Sequence, residues 1–178
     1  QTMMLPRGEP LLLPVYAPFI WGTLALAFLV SMAINIMAPT MSAWMPDLVL
    51  VSVMFWAMHQ PRYVGVSVAF TLGLFNDVQQ SALLGQHAFI YSLAAYFAIQ
   101  LQRRLAYFSS SQQAIQLLPM LAGLSALQWL IRWLSDGFVP TWPMFIAPIA
   151  EVCLWPLLDW VLLAPQRRPP DQDDHRPL

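Results

Sequence analysis

Lysine is absent from the 178 residues, and charge of either sign is scarce: eight Arg against nine Asp and Glu, 10% of the chain in all. With a formal net charge of −1 there is no basic face to gather nucleic-acid phosphates. Cysteine is nearly missing as well. Cys153 stands alone in an apolar run, which excludes an intrachain disulfide and a thiolate metal site and leaves a small packing residue as its plain reading. Also lacking are a nucleophile elbow, an HExxH pair, a P-loop and a glycine-rich dinucleotide fingerprint. His59, His87 and His175 are too scattered to suggest a metal site. No catalytic residue, cofactor or metal is expected. What the chain does have is apolar bulk. It is 58% hydrophobic with a mean hydropathy of +0.58, which excludes an ordinary soluble domain and places it in a bilayer. Eight Trp, ten Phe and five Tyr supply interface anchors, while sixteen Pro and ten Met argue for several broken helices.

A helix crossing about 30 Å of hydrocarbon needs roughly 20 mostly apolar residues. Six windows come close: residues 15–37, 41–58, 63–76, 82–101, 114–134 and 143–164. The first reads as a retained span rather than a removed signal peptide, being long and without a small-x-small cleavage site. Fusing the second and third would bury Arg62 near mid-membrane at a cost of about 2.5 to 3.5 kcal/mol. Kept apart, they place Arg7, Arg62, Arg103, Arg104, Arg167, Arg168 and Arg176 on one side and only Arg132 toward the other. The positive-inside rule then makes both termini cytoplasmic. The expected organisation is a cytoplasmic segment over residues 1–14, one six-helix membrane domain over 15–164, and an unstructured polar tail over 165–178.

Gly65, Ala69, Gly73 and Asp77 recur every four residues and so share one helix face. Small residues admit a second backbone closely, the usual way helices associate in lipid. Asp77, at the end of the stripe, must meet water, a partner or a cavity; it either caps the helix end with Asn76 or takes part in an interaction. The mixed stretch that follows, with Gln79, Gln80, Ser81, Gln86 and His87, is too polar for lipid and needs cover from protein or water. Asp47 after Pro46 reads as a helix-starting cap. Arg132 and Asp136 are spaced for a local ion pair. Glu151 and Asp159 fall inside the sixth span and should face the bundle interior or be protonated, Glu151 within reach of Arg132 only if the fifth and sixth helices pair. Pro148 and Pro156 should each bend that helix, freeing the carbonyls of Met144 and Val152. Ser81 and His87 are the residue types of a hydrolase, but six residues apart they do not share a helix face.

Several runs resemble a known family. Pro46-Asp47-Leu48 through Phe55-Trp56-Ala57, His59-Gln60-Pro61-Arg62-Tyr63-Val64-Gly65, Phe70-x-x-Gly73-x-x-x-Asp77, Leu84-Gly85-x-x-Ala88 and the following Tyr91 to Tyr96, with Leu154-Trp155-Pro156 later, are similar to the bacterial rod shape-determining MreD proteins. The resemblance runs from the first span to about residue 164, and is most specific over residues 46–96 and weakest in the fifth span. It implies a non-enzymatic, multi-pass protein of the bacterial inner membrane. Its implied partner is MreC and, through MreC, the actin-like MreB, the glycosyltransferase RodA and a class B penicillin-binding transpeptidase, with self-association left open. It also implies a six-helix fold resembling the substrate-binding subunits of energy-coupling-factor transporters. Carried over by position, the family-like residues are Pro46, Pro61, Gly65, Gly73, Asp77, Gly85 and Pro156; Glu151 and the His-Gln pair before Pro61 depart from the pattern. With Ala69 from the stripe, these residues form the expected partner-binding or structural set. The competing function is a transport subunit whose outward cavity, lined by Asp77, Gln79, Gln80 and His87, captures a small molecule.

Overall fold

The computed structural model describes residues 16–38 and 45–164. The expectations for residues 1–14 and 165–178, and for the start of the second span, lie outside them. Among the described residues all regular structure is helical: α1 (Ala17–Met37), α2 (Leu48–His59), α3 (Val66–Gln79), α4 (Gln86–Leu105), α5 (Ser110–Asp136) and α6 (Ile146–Leu163), the last led by a 3-10 turn, Trp142–Phe145. Three stretches, Ala17–Met37, Ser110–Asp136 and Trp142–Leu163, are long and apolar enough to cross a membrane. The chain is an integral membrane protein.

Helix boundaries move from the expected ones for local reasons. The turn after α2 has Pro61 at its second position and closes with Tyr63 N–H and Val64 N–H donating to the Gln60 carbonyl at 3.0 and 3.1 Å, so α3 starts at Val66 rather than at 63. Gly85 adopts a left-handed φ of 98°, which a side chain would resist, and α4 begins only after it, four residues later than expected. Its last turn holds Arg103 and Arg104, cations that suit the negative end of a helix dipole. α5 is longer than expected at both ends, because Ser109 and Gln112 form a capping box at its start and Gly137, at φ 65°, ends it. The predicted double bend of α6 is corrected. Pro148 lies in its first turn, where a residue's N–H is not used within the helix and proline's lack of one breaks no bond, and only Pro156 is interior. Pro119 lies inside α5.

Packing centres on α2, which packs on α1, α4 and α6 and touches α3. All ten residues from Val49 to Met58 are buried. Phe55 lies 5.4 Å from the Trp56 ring and 5.7 Å from that of Trp155 on α6, and Trp56 meets Phe19 of α1 edge-on at 6.1 Å. The Trp56 indole N–H donates to Thr23 Oγ1 at 2.8 Å, so the buried ring brings no unmet donor into the core. α3 lies along α4, and α5 packs on α6 and less extensively on α4. Only Ile20 and Leu24 of α1 are buried; Phe19 and Phe28 pack partly buried against the core, while Leu26, Leu29, Ile36 and Met37 are exposed, as lipid contact permits. Cys153, read from the sequence as a small packing residue, is exposed on α6.

Candidate functional site

Six helix ends converge on one polar cavity. It is lined by Ser31 and Asn35 near the end of α1, Asp47 before α2, Gln80 after α3, His87 at the start of α4, Gln128 and Arg132 toward the end of α5, and Glu151 of α6. Its volume is about 120 Å³. Because consecutive helices alternate in direction, Arg62, Arg103 and Arg104 lie at the opposite end of the bundle; we call the cavity's end the far end and the other the arginine end.

The geometry behind the cavity is set by Asp77. This side chain is fully buried at the end of α3, and it caps not its own helix but the next. Gly85, the residue that starts α4, has no side chain to cap with, and Asp77 takes that role: its Oδ2 accepts the Gly85 N–H at 2.8 Å, and its Oδ1 accepts the His87 N–H at 2.7 Å. The Ala88 N–H points to Oδ2 at a longer 3.4 Å. These are the donors that a helix leaves unpaired in its first turn, and a carboxylate there also meets the positive end of the dipole. The His87 ring completes the arrangement. Its Nδ1 lies 2.8 Å from Asp77 Oδ1 and its Nε2 3.0 Å from Gln128 Nε2 on α5, partners that assign the proton of the neutral ring to Nδ1 and let Nε2 accept from the amide.

The small-residue stripe makes this possible. Ala69, Gly73 and Asp77 are buried between α3 and α4. A Cβ at Gly73 would fall on the backbone N and Cα of Ala88 and 2.7 Å from the His87 carbonyl carbon, so here the α4 backbone occupies the space a side chain would need. Gly65, by contrast, starts α3 in an extended conformation at φ −100°, and a Cβ there would meet only the Pro61 carbonyl oxygen, at 3.7 Å. Within the chain, then, the stripe joins neighbouring helices.

A second chain of hydrogen bonds runs from α6 to α3. Glu151 Oε1 accepts the Asp47 N–H at 3.2 Å; Asp47 Oδ1 caps α2 by accepting from Val49 and Leu50 N–H at 3.1 and 3.0 Å; Asp47 Oδ2 accepts the Tyr91 hydroxyl at 2.6 Å; and that hydroxyl accepts from Asn76 Nδ2 at 2.7 Å. Asp47 is therefore the expected cap and a junction besides. Pro46 sits one residue before it on the cavity wall.

Other expectations fare differently. Of Asp77, Gln79, Gln80 and His87, only Gln80 and His87 line the cavity; Asp77 stands behind His87, and the buried amide atoms of Gln79 have no partner among the described residues. Arg132 does not pair with Asp136. Its guanidinium lies over the Phe138 ring, 4.1 Å from the centroid. α5 and α6 do pack together, and Arg132 and Glu151 share the cavity without an ion pair between them. Ser81 is exposed, and both ring nitrogens of His87 are engaged elsewhere. Among the described residues no three His, Cys, Asp or Glu side chains gather in a way that could hold a metal ion. Pro61 serves the turn after α2. Pro156 follows Trp155, whose indole N–H donates to Gln113 Oε1 at 3.2 Å.

At the arginine end, Asp159 Oδ2 accepts the Ser110 hydroxyl at 2.5 Å, and the His59 ring lies 3.9 Å from Oδ1. Those contacts tie α2, α5 and α6 together, as the cavity does at the far end.

No curated protein and no solved structure matches the chain. A family model, that of the rod shape-determining protein MreD, does match, over residues 16–163. A match that runs from the residue before α1 to the last residue of α6 carries every element and both polar clusters with it, and the chain belongs to the MreD family of rod shape-determining proteins.

Proposed function

We propose that this protein is a non-enzymatic scaffold of the cell-elongation complex in the bacterial inner membrane, crossing it six times with both termini cytoplasmic. On this reading it binds MreC and, through MreC, joins MreB, RodA and a class B penicillin-binding transpeptidase, so helping to control cell shape and peripheral peptidoglycan synthesis. The observation that carries the reading is the family match over residues 16–163. The geometry is in keeping with it: Asp47, Asp77, His87 and Tyr91 hold helix ends in place, leaving a fixed shape to display rather than a constellation for chemistry. The six helices, with a cavity at the far end, suit the fold of energy-coupling-factor substrate-binding subunits. Gly73, Ala69, Asp77 and Gly85 set the shape of the α3–α4 pair, with Gly65, Pro46, Pro61 and Pro156 at its turns and neighbours. That pair presents Phe70, Phe89 and Tyr96 outward, each about half exposed, to a partner's transmembrane helix or juxtamembrane segment.

Affinity purification from native membranes in mild detergent, with mass spectrometry and an unrelated six-span control, tests the reading. An MreC-like single-span protein and cell-wall synthases should be recovered specifically, and a Gly73→Leu chain that still inserts should lose them. Recovery of a transporter ATPase instead would overturn the scaffold in favour of the transport subunit, a reading that the far-end cavity supports.

A further inference from the structure

The far-end cavity contains a carboxylate that the protein satisfies only by half. Glu151 is 3% exposed. Its Oε1 accepts the Asp47 N–H, whereas Oε2 is buried with no hydrogen-bond partner among the described residues. Asp47 cannot help, being an acceptor whose two oxygens already take the Val49, Leu50 and Tyr91 donors. A buried carboxylate oxygen without a donor is costly, and this one belongs to a residue that lines an open space.

Arg132, on the same cavity wall from α5, is the complement. Its guanidinium stacks on Phe138 and makes no hydrogen bond or ion pair among the described residues. Among the described residues the cavity thus brings together an acceptor lacking a donor and a cation lacking an anion, with Ser31, Asn35, Asp47, His87 and Gln128 also on its wall. A simple anion would answer Arg132 and leave Glu151 bare. A divalent cation would find too few free oxygens. A quaternary ammonium carries no N–H to donate.

We propose that the cavity binds a zwitterion with a primary ammonium, the ammonium donating to Glu151 Oε2 and the acidic group of the same molecule paired with Arg132. Two sources share that chemistry: the head group of phosphatidylethanolamine and a free amino-acid-like molecule. α1 packs chiefly on α2, with Phe28 meeting Phe75 of α3 edge-on at 6.5 Å, and it lends Ser31 and Asn35 to the cavity wall. The inference holds whether the chain acts as a scaffold or as a transport subunit.

Thermal unfolding of the purified full chain in detergent reads the binding. The probes are dihexanoyl phosphatidylethanolamine, dihexanoyl phosphatidylcholine, phosphoethanolamine and glycine, each titrated separately. The expected result is a saturable rise in Tm with a primary-amine zwitterion and none with the choline lipid. Apparent affinity should fall about tenfold or more in Glu151→Gln, the loss of one charge-assisted hydrogen bond. A response to the ethanolamine lipid alone assigns the source as a head group; a response to phosphoethanolamine or glycine as well assigns a free solute. No shift with any probe, in which case the cavity holds water only, overturns the proposal, as does an equal shift with the choline lipid. Arg132→Gln, at a partly exposed position, keeps the test decisive if Glu151→Gln does not fold: unchanged affinity in that variant removes the zwitterion.

Discussion

Asp77 reaches forward in the sequence rather than back along its own helix. Replacing it with Ala would leave the Gly85 and His87 N–H groups and the His87 ring without their acceptor, and we expect a loss of about 2 to 4 kcal/mol, from a lost cap plus a charged hydrogen bond. Asp77→Asn, which keeps one acceptor oxygen, should lose roughly half as much; denaturant unfolding of the purified variants in one detergent checks both. Tyr91→Phe should cost about 1 to 2 kcal/mol in the same assay, because Asp47 Oδ2 and Asn76 Nδ2 both lose their partner. Asp77 stood out in the sequence as an ionisable group ending an apolar stripe. Its partner did not, because helical periodicity says nothing about a contact made across a turn. A signal was present all the same: α4 begins after a glycine, with no Ser, Thr, Asp or Asn to cap it, so an acceptor had to come from elsewhere. Tyr91, Asn76 and Gln128 gave no such hint, their roles depending on which helices neighbour one another.

Two glycines of the same stripe should respond oppositely to the same change. Gly73→Ala drives a Cβ into the α4 backbone, which cannot swing aside as a side chain would, and should cost about 1 to 3 kcal/mol by forcing α3 and α4 apart. Gly65→Ala has ordinary space and an extended φ of −100°, and should be neutral or stabilising by up to about 1 kcal/mol, through a less flexible unfolded chain. Differential scanning fluorimetry of the pair decides; similar losses would mean that the stripe packs differently. That helices lie at these places along the chain was legible from apolar runs and the polar breaks between them. Their ends were less so. Arg103 and Arg104 looked like loop residues because they are charged, yet a helix C-terminus welcomes cations, whereas Leu83 and Leu84 looked helical because they are apolar, yet the backbone at Gly85 keeps α4 from starting before it.

Whole-molecule topology rests on arginine placement and on the two polar clusters at opposite ends. In a Cys153→Ser background, Tyr107→Cys, just before α5, should label only from the cytoplasmic side with a membrane-impermeant maleimide, and Val139→Cys, just after it, only from the other. Both positions are well exposed, so labelling of both from one side would mean that α5 does not cross. Charge asymmetry in the sequence predicts six spans, of which Ala17–Met37, Ser110–Asp136 and Trp142–Leu163 are long and apolar enough to cross a membrane; which helix lies at the centre depends on three-dimensional neighbours and had to be seen. α2, about 18 Å long at 1.5 Å per residue and enclosed by protein over Val49 to Met58, constrains how the chain is made. α4 and α6, two of the helices that enclose it, are translated after it. Until they emerge, a segment too short to span the bilayer alone waits with its flanks bare, next to the translocon or a membrane chaperone. A chain cut before α6 would keep Phe55 uncovered where Trp155 should lie, and the membrane proteases that clear unfinished proteins would find it there.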